Sequence, residues 1–223
     1  MRVIVVAVGP AGEVGRWPLA HGQDPVNLLA EHGWVGIPAR TELVEGQVEV
    51  RYDVDPLASV VDVVEIPVGA AGARTLQRLA AYAIVVDEGR LLLSQLASWV
   101  GGGAGLWTLP GGGVDPGEAP LDGVVREVHE EAGQQVVVDG LVQVQSRHWI
   151  GDVAVGERHE DFHAVRLIHA ATCPHPTPAR VIEVDGSTAA AAWVSLGEVG
   201  ALPLSDMVRL AWPHVPGGDS YPM

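Results

Sequence analysis

The chain has 223 residues, with 28 acidic side chains against 13 basic ones and a formal charge of −15. That balance argues against a broad electrostatic footprint for nucleic acid or an anionic membrane surface, and a single cysteine excludes a disulfide framework. There is no lysine, so Schiff-base chemistry and lysine-dependent P-loops are excluded, and any side-chain cation that grips phosphate must be arginine.

No apolar run reaches the roughly 18 residues of a membrane span. The apolar stretch from Met1 to Val8 is too short for a signal peptide. A cytoplasmic location is the expectation.

Residues 1 to about 70 read as a small mixed α/β unit. Arg2 to Val8 is an apolar, β-branched run and predicts a buried strand. Asp24-Pro25, followed by Val26, Leu28, Leu29 and His32, predicts a short helix with an acidic cap, ending at Gly33. Thr41 to Val54 alternates, and Glu45-Gly46 supplies a hairpin turn. Ser59 to Val68 is a further strand candidate. No chemical motif occurs here, and Trp17 and Trp34 read as packing residues. The unit is expected to shape substrate access or to form a homodimer contact.

Ala70 to Thr75 is a link of small residues and marks the boundary. The expected division is 1–72, 73–215 and a loose tail, 216–223. In the second part, Ala80 to Val86 and Arg90 to Gln95 predict two strands around the turn Asp87-Glu88-Gly89. Trp99 to Gly105 reads as a glycine-rich mobile loop, and Trp107 as a packing residue at its exit.

The stretch from Gly112 to Gln134 is the most informative. Pro120 suits a first helical turn and Gly133 a helix stop. Leu121, Val124, Val125, Val128 and Ala132 follow the spacing of a buried stripe. Glu127, Glu130 and Glu131 sit at i, i+3 and i+4, which places three carboxylates on one helix face. Such a face repels itself unless a cation sits among the oxygens, and magnesium is the natural hard cation for carboxylate and phosphate together. The preceding glycines, 111 to 113, let backbone approach a ligand closely.

After this helix, Val136 to Trp149 predicts one long strand or a bent pair. Gly151 to Glu160 reads as a polar loop. Asp161 to Ala171 alternates, with His163, Val165, Leu167 and His169 on one face. Pro174, Pro176 and Pro178 mark an extended loop. Ala191 to Leu196 predicts a last strand and Leu204 to Trp212 a last helix.

The stretch 112–134 resembles the Nudix box, G-x5-E-x7-R-E-U-x-E-E-x-G-U, where U is a bulky aliphatic residue. Gly112, Glu118, Arg126, Glu127, Val128, Glu130, Glu131 and Gly133 fill it in register, and Gln134 departs at the last position. That departure is expected to touch packing rather than chemistry. The resemblance implies an α/β/α sandwich with a mixed sheet over about residues 78 to 213. It also implies hydrolysis of a nucleoside diphosphate linked to another moiety, X, with Mg²⁺ or Mn²⁺. On the same basis Glu127, Glu130, Glu131 and the Gly112 carbonyl are the metal ligands. Arg126 orients a glutamate and Glu118 supports the start of the helix.

The base that activates water is sought among Glu127 and the downstream carboxylates Glu157, Glu160, Asp161, Glu183 and Asp185. His159 and His163 are candidates for phosphate contact. Neutral Glu→Gln changes at 127, 130 or 131 are expected to cost activity rather than stability, because each removes one of several repelling charges.

The partner is then a small nucleotide. Two other readings compete. A non-catalytic nucleotide sensor would not need all three glutamates. An isomerase acting on a prenyl diphosphate would call for a cysteine near its substrate, and Cys173 stands alone beside Pro174.

Overall fold

The structure is a computed structural model that describes residues 1–58, 66, 73–152 and 159–218. Strands β1 (Arg2–Gly9) and β2 (Gly12–Pro18) form a hairpin, followed by helix α1 (Pro25–Glu31). Next come β3 (Trp34–Val44) and β4 (Gln47–Pro56). The order in this sheet is β2-β1-β4-β3, with β1 and β4 parallel and the other pairs antiparallel.

β1 is apolar on both faces, with Val3, Val5 and Val6 buried, whereas β4 alternates, turning Val48, Val50, Tyr52 and Val54 to one face and Glu49 and Arg51 to the other. The Asp24 carboxylate caps α1 by accepting from the amides of Val26 and Asn27. Glu45 and Gly46 both have positive φ, as a tight hairpin turn requires.

Sequence patterning gave no warning of β2, whose side chains are mostly exposed and carry little alternating apolar signal. β3 likewise starts seven residues before the expected hairpin arm, at Trp34 rather than Thr41. The strand expected from Ser59 to Val68 lies outside the described residues, apart from Ile66, which has no regular structure.

The second sheet holds β5 (Arg74–Asp87), β6 (Arg90–Leu96), β9 (Val137–Asp152), β10 (His159–Thr172) and β11 (Thr188–Ser195), in the order β11-β6-β5-β10-β9. Two short strands, β7 (Trp107–Thr108) and β8 (Gly111–Gly113), pair with β6 and β5. Helix α2 spans Pro120–Ala132 and α3 spans Asp206–Ala211.

β5 opens inside the expected small-residue link, at Arg74. β9 and β10 run on through positions 151–152 and 159–160, where a polar loop is expected. Residues 153–158, including Glu157, lie outside the described residues. So do 219–223 of the expected tail.

By internal contacts the chain divides into two compact units that interleave along the sequence. The first comprises Met1–Ala80, Gly113–Pro120 and Gln143–Leu167, and the second Ala81–Gly112, Leu121–Val142 and Ile168–Met223.

The second unit is layered, and β6 shows why. Leu91 and Leu93 pack with Ile84, Ile168, Met207, Val208 and Ala211, toward α3. Ser94, one position on, points to the opposite face and donates to Glu131 of α2 at 2.9 Å. Alternation therefore places one helix on each side of the sheet. In β11 the register shifts between Thr188 and Ala190, so Thr188 and Val194, six positions apart, face opposite sides. Thr188 lies beside Leu96 on the α2 side, and Val194 beside Leu91 on the α3 side. Trp107 packs against the α3 core, as a packing residue should.

In α2 the buried stripe is narrower than its spacing suggested. Val124, Val128 and Ala132 are fully buried, Val125 is half-buried, and Leu121 is exposed. In the first turn Pro120 and Gly123 are buried instead, so the covered face lies to one side of Leu121.

Candidate active site

Helix α2 carries the three glutamates, but they do not share one environment. Glu131 is only 4% exposed. It accepts from Thr188 Oγ1 at 2.5 Å, Ser94 Oγ at 2.9 Å and the Gly111 amide at 3.0 Å. Burial raises its proton affinity above the ordinary carboxylate range, and these three donors oppose that rise.

Glu127 and Glu130 are less covered, and one guanidinium ties them together. Arg126 Nη1 donates to Glu127 Oε1 and to Glu130 Oε2, each at 3.0 Å. Burial also raises the proton affinity of Glu127, Arg126 lowers it, and the charges of Glu130 and Glu183 raise it further. Glu131 in turn feels the charge of Glu127. The three carboxylates thus form one electrostatic group, graded from buried to solvated.

The glycine loop meets this group directly. A Cβ on Gly112 would fall 2.5 to 2.7 Å from the carboxylate atoms of Glu127. Only glycine lets the backbone pass so close to that carboxylate. Gly111, with φ of 142°, lies against β5, where a Cβ would strike the Ala81 carbonyl at 2.3 Å. The loop is thereby wedged between a strand and a carboxylate, with its amide at 111 spent on Glu131.

The far end of α2 is capped by a segment from beyond β10. The amides of Ile182 and Glu183 donate to the Glu130 carbonyl at 2.8 and 3.0 Å, and the Arg180 amide donates to the Ala132 carbonyl at 3.1 Å. Carbonyls at a helix end otherwise lack partners. This capping brings Glu183 beside the helix, with its side chain exposed. Asp185 is exposed as well and sits at a positive φ of 63°.

The remaining candidates fall in the first unit. Glu118 closes a local turn, its carboxylate accepting from the Asp115 amide at 2.9 Å. Glu160 is half-buried on β10. Asp161 is buried and bonded to His21 and His148, so it is engaged elsewhere. His163 is fully buried, with Gln77 on Nδ1 at 3.0 Å and Ser146 on Nε2 at 2.9 Å. Burial pushes it down to about 4, so it is a neutral packing and hydrogen-bonding residue rather than a phosphate contact.

The departure at Gln134 also has a physical reason. Its side chain is 1% exposed. Its amide donates to the Ala132 carbonyl at 3.0 Å, and its oxygen accepts from the Thr177 amide at 3.0 Å and from the Cys173 thiol. The amide stitches the proline-rich loop to the end of α2. Gln134→Leu is expected to lose about 1–3 kcal/mol, because the Thr177 amide is left without its acceptor. A urea midpoint measurement checks this. Burial holds the Cys173 thiol above its ordinary value, which is no setting for a nucleophile.

Sequence reasoning missed Ser94 and Thr188, the hydroxyls that hold Glu131. They come from two strands, and nothing in a serine or threonine within a strand signals a carboxylate partner. The histidines at 21 and 148 were missed for the same reason.

The family model described as NUDIX domain matches residues 76–213. The nucleoside triphosphatase NudI of Salmonella agona (strain SL483) is 32% identical over 93 residues, which cover 41% of this chain and 66% of that protein. A MutT-like protein of Streptomyces ambofaciens is 31% identical over 143 residues, covering 61% of this chain and 79% of that protein. Among solved structures, a MutT NUDIX hydrolase from Burkholderia pseudomallei is 30% identical with a TM-score of 0.41, covering 61% of this chain and 95% of that one.

Proposed function

This chain belongs to the NUDIX family of hydrolases acting on diphosphate bonds, and from that premise we propose that it is a divalent-cation-dependent pyrophosphohydrolase of a nucleoside diphosphate linked to a second moiety. The observation that carries the proposal is the contact of the Gly112 backbone with the Glu127 carboxylate, beside Glu131. A hard cation needs converging oxygens, and a phosphate needs backbone that can approach closely.

The donor set fits Mg²⁺ or Mn²⁺, which Glu127, Glu130, Glu131 and the Gly112 carbonyl would hold. Such a cation supplies charge neutralisation for the diphosphate and lowers the pKa of bound water. The rest of the proposal concerns the side chains. Arg126 fixes the orientation of Glu127 and Glu130 through one nitrogen. Glu131, locked by three donors, sets the depth of the cluster. Glu127, with its raised proton affinity, suits the removal of a proton from water. Glu183, held at the helix end, is the alternative base, with Glu160 and Asp185 behind it.

A nucleoside triphosphate is the first substrate to test, given the name of the Salmonella relative. Residues 1–72 are assigned an accessory role in access or pairing, with 73–215 as the hydrolase domain and 216–223 as a tail. No helix among the described residues is long and apolar enough to cross a membrane.

Hydrolysis in ¹⁸O-labelled water tests the reaction. Label is expected in a phosphate-containing product, only with Mg²⁺ or Mn²⁺ present, and activity is expected to collapse with chelator. Full activity in excess EDTA would sink the reading.

A further inference from the structure

We propose that His21, His148 and Asp161 form a binding site for a divalent transition cation of the zinc class, built from none of the box residues. His21 follows β2, His148 lies on β9 and Asp161 on β10, all within the first unit. Their ligand atoms lie within 4.8 Å of one another. Nε2 of His21 stands 2.8 Å from Asp161 Oδ1, and Nε2 of His148 stands 2.5 Å from the same oxygen. Two imidazole nitrogens and one carboxylate oxygen therefore converge on one point.

The side chains are held there. His148 and Asp161 have 9% and 8% of their side-chain surface exposed. Gly22 has a φ of 77°, and a Cβ on it would come within 2.9 Å of His148 Nδ1, so the glycine makes room for the ring. The His21 and His148 rings meet edge to face at 5.2 Å. His163 packs near both but is already occupied on both nitrogens by Gln77 and Ser146. It therefore serves as wall rather than ligand.

The chemistry of the donor set selects the ion. Two imidazoles and a carboxylate suit Zn²⁺, Co²⁺ or Ni²⁺ and disfavour Mg²⁺, which prefers all-oxygen shells. A tetrahedral zinc with bonds near 2.0–2.2 Å needs ligand atoms about 3.3 Å apart. Each nitrogen reaches that spacing from the Asp161 oxygen by parting about half an ångström or more, within the range of small torsional adjustments. The side chain of His21 is 23% exposed and provides the entry path, with the fourth position left for water. A bound ion would fasten residue 21 to two strands more than 120 positions away in sequence, as the separations of 140 and 13 for the two hydrogen bonds show. It would also take the place of the hydrogen bonds now made between the imidazoles and the carboxylate.

The test uses the full chain, stripped of metal and then held in excess Mg²⁺ to fill the box carboxylates. Calorimetric titration with Zn²⁺ is expected to show one equivalent bound, and the thermal midpoint to rise. His21→Gln/His148→Gln is expected to weaken that equivalent by roughly 100-fold or more. Glu127→Gln/Glu130→Gln is expected to keep it. X-ray absorption of the zinc-loaded, unaltered protein supplies a check that does not depend on the variants folding, with imidazole scattering expected around zinc. An all-oxygen shell overturns the proposal. So does the absence of a zinc equivalent in excess Mg²⁺, its survival in the histidine variant, or its loss in the glutamate variant.

Discussion

Glu131→Ala is expected to destabilise the protein by about 3 kcal/mol or more, a larger effect than removal of either neighbouring glutamate. On the sequence, Glu131 belongs to a self-repelling acidic face, where loss of one charge relieves the helix. Its surroundings reverse that expectation. The carboxylate is buried and accepts from three donors. The hydroxyls of Ser94 and Thr188 can rotate to find other acceptors, but the Gly111 amide is fixed by its backbone. Truncation leaves that amide unpaired, opens a cavity and unfastens the glycine loop from α2. Glu131→Gln retains an oxygen for Gly111 and is expected to cost only about 1 kcal/mol. Urea unfolding of both variants at neutral pH measures the difference. Equal midpoints for wild type and Glu131→Ala would show that the buried carboxylate contributes nothing to the fold.

Gly112→Ala is expected to lower kcat by roughly 100-fold while stability changes by less than about 1 kcal/mol. The new methyl would sit 2.5 to 2.7 Å from the atoms of the Glu127 carboxylate. The side chain must then swing aside by about an ångström, and displacements of that size cost about two orders of magnitude in well-positioned sites. The φ of Gly112 is not among the positive values, so alanine itself is not strained there. Glu127→Gln is expected to give a loss of similar size, since it removes the displaced group directly. Gly117→Ala serves as control. Gly117 has φ of 86° and open space around its missing Cβ, so alanine there costs about 1 kcal/mol through backbone strain and leaves kcat alone. If Gly112→Ala keeps wild-type kcat, the contact between loop and carboxylate has no part in the reaction.

Arg126 shows how far the motif reaches. The resemblance implies that Arg126 orients a box glutamate, and the structure contains its bond to Glu130, four residues on, together with one to the adjacent Glu127 that helical spacing does not forecast. The asymmetry among the glutamates could not be forecast in that way. Spacing defines an angle around the helix axis, but it does not say where the sheet lies against that helix. Ser94 and Thr188 decide which carboxylate turns inward, and they stand 37 and 57 positions from Glu131.

The histidine cluster makes the same point more sharply. His21, His148 and Asp161 share no local pattern, so no window along the chain contains them together. They meet because β9 and β10 are neighbours in the sheet and the turn after β2 reaches them. Gln134 is intermediate. Its departure from the motif is plain in the sequence, while its hydrogen bonds with Cys173 and Thr177 belong to the fold.

The sequence by itself determined what is local. It placed the caps of α1 and α2, the tight turns at Glu45-Gly46 and Glu88-Gly89, and the helix that carries three glutamates beside a glycine loop. These follow from steric limits on φ and from the helical period, which act over a few residues. The tertiary structure alone decided which of those glutamates is buried, which hydroxyls hold it, and which histidines gather around Asp161. Those outcomes depend on the order of strands and on a register shift in β11, and such pairings are settled by burial summed over the whole sheet rather than by any short segment.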